Sequence, residues 1–382
     1  MKVKLESFLQ EVSEKTTENN QYPVLTSSKA GLYLQSDYFN KQVASKDNTG
    51  YKIIKRGQFT YRAMSDTGEF FPNMLDCADI GIVSPAYPVF EIAKPIIIPD
   101  FLKYYFKSNE FQQSIASFAQ GSTRTSIKYG KLKTVLMELP DLKEQQKYIE
   151  ILDTAQKIIN DRKRELEKLD ELIKARFVEM FGEPQDNPFG WDKMPLSNVI
   201  LNANNGMARR GNDENGNIVM RLVELQDGYI DYSNPNRIVL KGNEKTRYLL
   251  RDKDFLFARV NGNPDNVGRC AVFEDIGEDV YHNDHIIRVH FNELLLDGTF
   301  ASVLLNSDYG KRQLKGQIKT SAGQYTVSQD GIGAIVTILP PISLQKEFAN
   351  FVNQVDKSKI VAQQMLDETQ KLFDSLMQEY FG

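Results

Sequence analysis

A chain of 382 residues with 41% hydrophobic and 26% charged side chains is long enough for two domains with their own cores, and its net charge of −4 argues against a general polyanion binder. No apolar run approaches the ~18 residues of a membrane span, and the opening Met1, Lys2, Val3, Lys4, Leu5 leads into no signal-peptide core, so a cytosolic protein without membrane attachment is expected. Cys77 and Cys270 fall in different halves with no neighbour at ligand spacing, which argues against a disulfide framework or a zinc knuckle and reads both as buried small hydrophobes.

Residues 1–20 read as a short amphipathic element, with Leu5, Phe8, Leu9 and Val12 at helical spacing. Turn chemistry at Asp47, Asn48, Thr49, Gly50 precedes strand-like runs at 51–54, 59–62, 80–83 and 89–92. A helix is expected over 99–118, opened by Pro99 and Asp100, with Phe101, Leu102, Tyr105, Phe106 and Ile115 on one face. A Gly-polar loop, 120–126, then leads through Leu132, Val135, Leu136, Met137 and Leu139 to a long polar helix over 140–182.

The same order returns about 200 residues later. Strand-like 191–200, 254–259 and 285–291 precede a helix starting at Phe300, a loop at 316–328, and a second long helix over 340–382. Asp254 to Arg259 pairs by flavour with Gln58 to Arg62. The chain therefore divides into a globular domain over 1–140, a helix over 141–182, a second globular domain over 183–340, and a second helix over 341–382. The fold class is α+β, two tandem α/β domains each followed by a long helix. Residues 1–140 hold 17 Lys and Arg against 14 Asp and Glu, and 183–340 hold 17 against 21, so any nucleic-acid contact must rest on local patches or on a partner.

In the first helix Tyr148, Leu152, Ala155, Ile159, Arg162, Leu166, Leu169, Ile173, Arg176 and Met180 alternate spacings of four and three, the period of a coiled-coil seam. The same offsets in the second give Phe348, Val352, Val355, Lys359, Ala362, Leu366, Thr369, Phe373, Leu376 and Tyr380. A narrow stripe on a rod roughly 60 Å long needs another long helix beside it. Either the two copies pack antiparallel within the chain, related by a pseudo-twofold axis, or the same helix of a second chain covers the seam.

Leu139, Pro140, Asp141, Leu142, Lys143, Glu144, Gln145 introduce the first helix, and Leu339, Pro340, Pro341, Ile342, Ser343, Leu344, Gln345 the second; Phe181, Gly182 and Phe381, Gly382 close them. Together with two non-identical α/β domains, these motifs resemble the specificity subunit of type I restriction-modification systems over essentially the whole chain. Gly121, Ser122, Thr123, Arg124 and the segment 177–184 fit that pattern, whereas Ser321, Ala322, Gly323, Gln324 depart from it in the second half. The resemblance implies two target-recognition domains, each reading one half of a split site in double-stranded DNA. It also implies a helix pair serving as ruler and as docking surface for two methyltransferase subunits. S-adenosylmethionine would be held by those subunits and no cofactor by this chain. A restriction (nuclease and translocase) subunit is a further partner that the resemblance leaves open.

The sequence carries no nucleotide-binding fingerprint, no Walker lysine and no Asn-Pro-Pro-Tyr or Asp-Pro-Pro-Tyr tetrapeptide, and no catalytic residue is assigned. His282 and His285, flanking Asn283 and Asp284, can be drawn as a metal corner or read as the start of a strand alternating through Ile287, Val289 and Phe291; no metal is assigned. For DNA, the loop residues Ser122, Thr123, Arg124 and Lys128, with Lys319 and Tyr325 in the second half, occupy matching places and suggest shared architecture or phosphate contact. Base reading is expected where the halves differ, at Lys29, Arg56, Arg62, Arg209, Arg210, Arg259 and Asn261, each of which also reads as a solvated surface group. A specificity protein for a related or orphan methylase, and a coiled-coil scaffold whose globular ends bind proteins, remain as alternatives.

Overall fold

A computed structural model of the chain describes residues 2–35, 47–118, 125–321 and 323–382. The chain forms two compact units, Met1–Arg164 with Gln363–Gly382, and Glu165–Ala362, so that each unit contains part of both long helices.

In the first unit, strand Lys2–Lys4 pairs antiparallel with Leu136–Glu138, just ahead of the first long helix. Beside it lies a four-stranded antiparallel sheet in the order Leu9–Val12, Val89–Ile92, Phe59–Thr60, Asn73–Met74. Its core is aromatic: Phe59, Phe90, Phe106 and Phe111 are fully buried, and Phe106 meets Phe111 edge-on at 4.9 Å. The second unit repeats both features. Asp192–Pro195 pairs with Val336–Leu339, and Ile200–Asn205, Ile286–Phe291, Phe255–Ala258 and Cys270–Val272 make the matching four-stranded sheet.

The halves differ beside that shared sheet. Lys52–Lys55 pairs antiparallel with Ile80–Val83 in the first unit, whereas Asn217–Met220 runs parallel to Val280–His282 in the second.

Each long helix spans 40 residues, Leu142–Phe181 and Ile342–Phe381. In the second unit, Asp170 meets Lys359 at 2.8 Å, Arg176 meets Glu347 at 3.4 Å, and the Phe181 ring lies 5.4 Å from Phe348. Rising numbers face falling ones, so the helices run antiparallel within one chain. In the first unit Tyr148 stacks on Tyr380, with ring centres 4.0 Å apart and planes 3° apart. Along the seam Leu152, Ile159, Ile173, Val352, Val355 and Leu366 are buried and Leu166, Leu169, Phe373 and Leu376 half-buried, while most residues between them are exposed. Gly182 ends the first helix in the left-handed conformation with φ +73°, backed against Pro188 where a Cβ would lie 2.3 Å from the proline ring.

Three local expectations are corrected. Residues 1–20 are not helical: Lys2–Lys4, a 3-10 turn at Leu5–Ser7 and Leu9–Val12 share the segment, both strands find partners, and tertiary pairing overrides a pattern too short to nucleate a helix. The run 99–118 is two helices, Pro99–Tyr105 and Asn109–Ala116, because the Ser108 hydroxyl accepts from the Phe111 N–H at 3.2 Å and caps a new start. Within 316–328 lies a hairpin, Lys319–Ser321 with Gln324–Thr326.

The cysteines also differ from each other: Cys270 is buried and Cys77 exposed. Burial pushes the Cys270 thiol far above its ordinary range. A chromogenic disulfide reagent is therefore expected to titrate one thiol in the folded chain and two in denaturant; two rapidly reacting thiols in the folded chain would contradict this packing.

Candidate nucleic-acid interface

In the second unit the candidates converge. Ala258 ends a central strand of the main sheet, and the chain continues directly through Arg259 into Val260–Asn261, which joins a small antiparallel sheet with Gln324–Thr326 and Lys319–Ser321. Asn261 sits opposite Tyr325, and Lys319 opposite Thr326. Beside this sheet opens a cleft of about 340 Å³ lined by Asn205, Arg259, Lys319, Thr326, Ser328 and Gln329 among others. The Arg259 guanidinium donates from Nη1 to the Asp284 carbonyl at 3.0 Å, and Gln329 Nε2 donates to Asn205 Oδ1 at 3.2 Å. Two cations and several neutral donors thus line one opening together with the exposed carboxylate of Asp330, and those cations and donors are a set suited to phosphate oxygens and base edges.

Arg210 extends the same patch. Its Nη2 donates to Asp284 Oδ1 at 2.6 Å and lies 3.1 Å from His285 Nε2. Burial foremost, with Arg210 and Arg259 beside it, holds the His285 imidazole below its ordinary range against the opposing pull of Asp284. His282, three residues earlier, is fully buried, its Nδ1 3.1 Å from the Tyr248 carbonyl; burial pushes it down to about 4. The two rings therefore belong to different surroundings. Among the described residues no group of three or more His, Cys, Asp or Glu is placed to hold a metal ion.

Arg209, adjacent to Arg210 in sequence, faces another task. Its Nε and Nη2 reach the two Glu244 oxygens at 3.3 and 2.6 Å, and Nη2 also donates to the Val239 carbonyl at 2.8 Å. That bidentate fork ties down the 239–244 segment.

In the first unit the candidates are scattered. Lys29 Nζ lies 3.3 Å from Glu69 and over the Phe71 ring at 5.2 Å; Arg62 lies 3.8 Å from Asp66. Both are exposed pairs of the kind that contribute little to stability and exchange readily for another anion. Arg56 is bound more firmly, to Asp79 at 2.8 Å and to the Asp76 carbonyl at 2.5 Å, and pins the 76–79 turn. Lys128 stands just before the short helix Tyr129–Leu132 and is exposed. Ser122, Thr123 and Arg124 lie outside the described residues.

One sequence alignment shifts. The Ile127 N–H donates to the Ala63 carbonyl at 3.0 Å, and the Val327 N–H to the Arg259 carbonyl at 2.9 Å, so Ala63, and not Arg62, stands where Arg259 does. The arginine of the second unit's cleft has an alanine as its counterpart. Asn205, Gln329 and His285 were not among the sequence candidates for this face. Only His285 carried a signal, its place at a strand start beside Asp284, whereas Asn205 and Gln329 reach the cleft through pairing over more than 100 residues.

Comparison with known proteins gives a consistent result. Residues 6–168 match the family model described as Type I restriction modification DNA specificity domain. The chain is 27% identical over 271 residues to the Type I restriction enzyme StySPI specificity subunit of Salmonella potsdam, covering 68% of this chain and 58% of that one. It is 24% identical over 276 residues to the Type I restriction enzyme EcoKI specificity subunit of Escherichia coli (strain K12), covering 68% and 59%. The match thus spans less than two thirds of the length of these relatives. Among solved structures, the type I restriction-modification system S subunit from M. genitalium shares the fold with a TM-score of 0.58 at 16% identity, over 100% of this chain and 96% of that one. A chain from a study of complex assembly and conformational transition of a type I R-M system shares it at 0.56 and 14%, over 99% and 96%. Residues 6–168 thus resemble a type I restriction modification DNA specificity domain, two specificity subunits align with about two thirds of the chain, and the chain shares its fold with solved subunits of such systems.

Proposed function

We propose that this chain is the non-catalytic DNA-recognition subunit of a type I restriction-modification complex, reading a bipartite, asymmetric site in double-stranded DNA and carrying two methyltransferase subunits. S-adenosylmethionine belongs to the methyltransferase subunits in this reading, and this chain holds no cofactor. The observation that carries it is a shared sheet and helix frame bearing two different sets of donors: a cleft with Arg259, Lys319 and nearby Arg210 in one unit, and dispersed Lys29, Arg62 and Lys128 in the other. Two non-identical readers fit two different half-sites.

The long helices support the docking role. Beyond the seam they leave Ile158, Leu172, Ile360, Val361 and Leu372 exposed on otherwise polar surfaces, with Ile360 at 59%.

With a net charge of −4, the chain alone has little long-range pull on DNA, so the modification subunits supply much of the phosphate grip. A DNA-shift assay is expected to give tight, site-specific binding only once those subunits are added. Equally tight specific binding by the isolated chain would overturn the shared grip, and no sequence preference in a random-site selection with the full assembly would overturn the DNA reading.

A further inference from the structure

Gln145 and Gln345 are completely buried near the start of the two long helices, and each uses its whole amide on the same set of backbone groups. Gln145 Oε1 accepts from the Ile98 N–H at 2.8 Å, while Nε2 donates to the carbonyls of Ile96 at 3.0 Å and Pro140 at 2.9 Å. Gln345 Oε1 accepts from the Asp297 N–H at 2.9 Å, and its Nε2 donates to the carbonyls of Leu295 at 3.0 Å and Pro340 at 2.7 Å.

Ile98 and Asp297 cap the short helices Pro99–Tyr105 and Gly298–Asn306. Those helices carry Phe101 and Phe300, and against these rings rests the last helical residue of a long helix: Phe381 at 5.0 Å from Phe101, Phe181 at 4.8 Å from Phe300. One short helix in each unit thus grips the start of one long helix through an amide and the end of the other through an aromatic contact.

One acceptor and two donors at this reach is a set that glutamine alone provides; glutamate lacks the donors, lysine the acceptor, and asparagine is a methylene short. The first helix already has an N-terminal cap in Asp141, whose Oδ1 accepts from the Glu144 N–H at 2.9 Å, so the buried amide is not needed for that purpose. It is also retained on the same three partners in two halves that differ in sheet pairing and in their basic side chains.

We propose that Gln145 and Gln345 are positioning residues for DNA recognition: the buried amide fixes the direction in which each long helix leaves its domain, and thereby the separation of half-sites that the complex accepts. The proposal rests on the reading of the chain as a DNA specificity subunit. Helix length sets the span and the amide sets the angle. On a rod of about 60 Å, a tilt of about 5° at one end displaces the other by about 5 Å, more than one base-pair step of about 3.4 Å.

Gln145→Met keeps length and volume while removing all three bonds. The test is to co-express the full-length chain with its modification subunits, define the methylated motif, and then offer a plasmid library of that motif with every spacer length. The variant is expected to keep both half-site sequences and to lose at least tenfold of the preference for the wild-type spacer over spacers one base pair longer or shorter. Val83→Ala, a destabilising change in the first unit's core away from the clamp, compared with Gln145→Met by segment-resolved hydrogen exchange, is expected to keep that preference. An unchanged spacer preference in folded Gln145→Met, or equal broadening by Val83→Ala, would overturn the proposal. If Gln145→Met does not fold, Gln145→Asn and Gln345→Met are judged by the same criterion. Failure of the wild-type assembly to methylate any bipartite motif would instead overturn the recognition reading itself, an outcome distinct from either.

Discussion

Replacing Phe381 by alanine is expected to cost the first unit about 3–5 kcal/mol, although the residue is the last of its helix. A terminal helical residue ordinarily frays, but Phe381 is 5% exposed, with its ring 5.0 Å from Phe101 and 6.3 Å from Tyr105. Phe181 has the matching place in the second unit, fully buried, 5.1 Å from Phe177, 4.8 Å from Phe300 and 5.4 Å from Phe348. Two units need not unfold in one step, so a single midpoint does not measure this effect cleanly. Hydrogen exchange resolved by segment does. Phe381→Ala should accelerate exchange in 99–116 and spare 298–315, and Phe181→Ala should do the reverse. A loss below about 1 kcal/mol, the scale of an ordinary surface change, or acceleration in the other unit would contradict the packing.

Removing residues 160–163 from the first long helix is expected to change the permitted spacer or abolish assembly while leaving the half-site bases as they were. Four residues shorten the helix by about 6 Å and rotate its C-terminal part by about 40° about the axis. The deletion also shifts the seam by roughly half a heptad, so that Leu166, Leu169 and Ile173 no longer face the second helix as they did. The base-contacting candidates, from Lys29 to Arg62 and from Arg209 to Tyr325, lie outside the deleted stretch. Motif sequencing of DNA methylated by the reassembled complex measures both quantities together. A change in the bases themselves would show that this helix has a different job.

The parts of the fold legible in the sequence were those with long-range periodicity. The seams needed only a 3.5-residue repeat, and the duplication only a register near 200 held over the last third of each half. Strands such as 80–83 and 89–92 were legible because they are short, largely buried runs rich in β-branched and aromatic residues. The N-terminal segment was not, since Leu5, Phe8 and Leu9 satisfy helical spacing as well as a strand, 3-10 turn and strand that share one core.

The candidate interface was legible only in part, and for a different reason. Adjacent arginines such as Arg209 and Arg210 look alike in sequence, yet one is tied to Glu244 and the other borders the cleft beside His285. Which way each points depends on carboxylates 35 and 74 residues away, beyond the reach of local pattern. Arg259 follows a buried strand, as its sequence context suggested, and lines the cleft, but its apparent counterpart Arg62 is one residue out of register. The buried glutamines were visible only as part of a Leu-Pro motif; their three-bond geometry required the tertiary structure.

The most direct test of the central claim is methylome sequencing of cells that carry this chain together with its modification subunits and lack other methylases. Two non-identical readers on a helical spacer predict one asymmetric motif, two short specified blocks separated by an unspecified stretch of fixed length, methylated within both blocks. A continuous motif, a palindromic one, or no motif at all would contradict it.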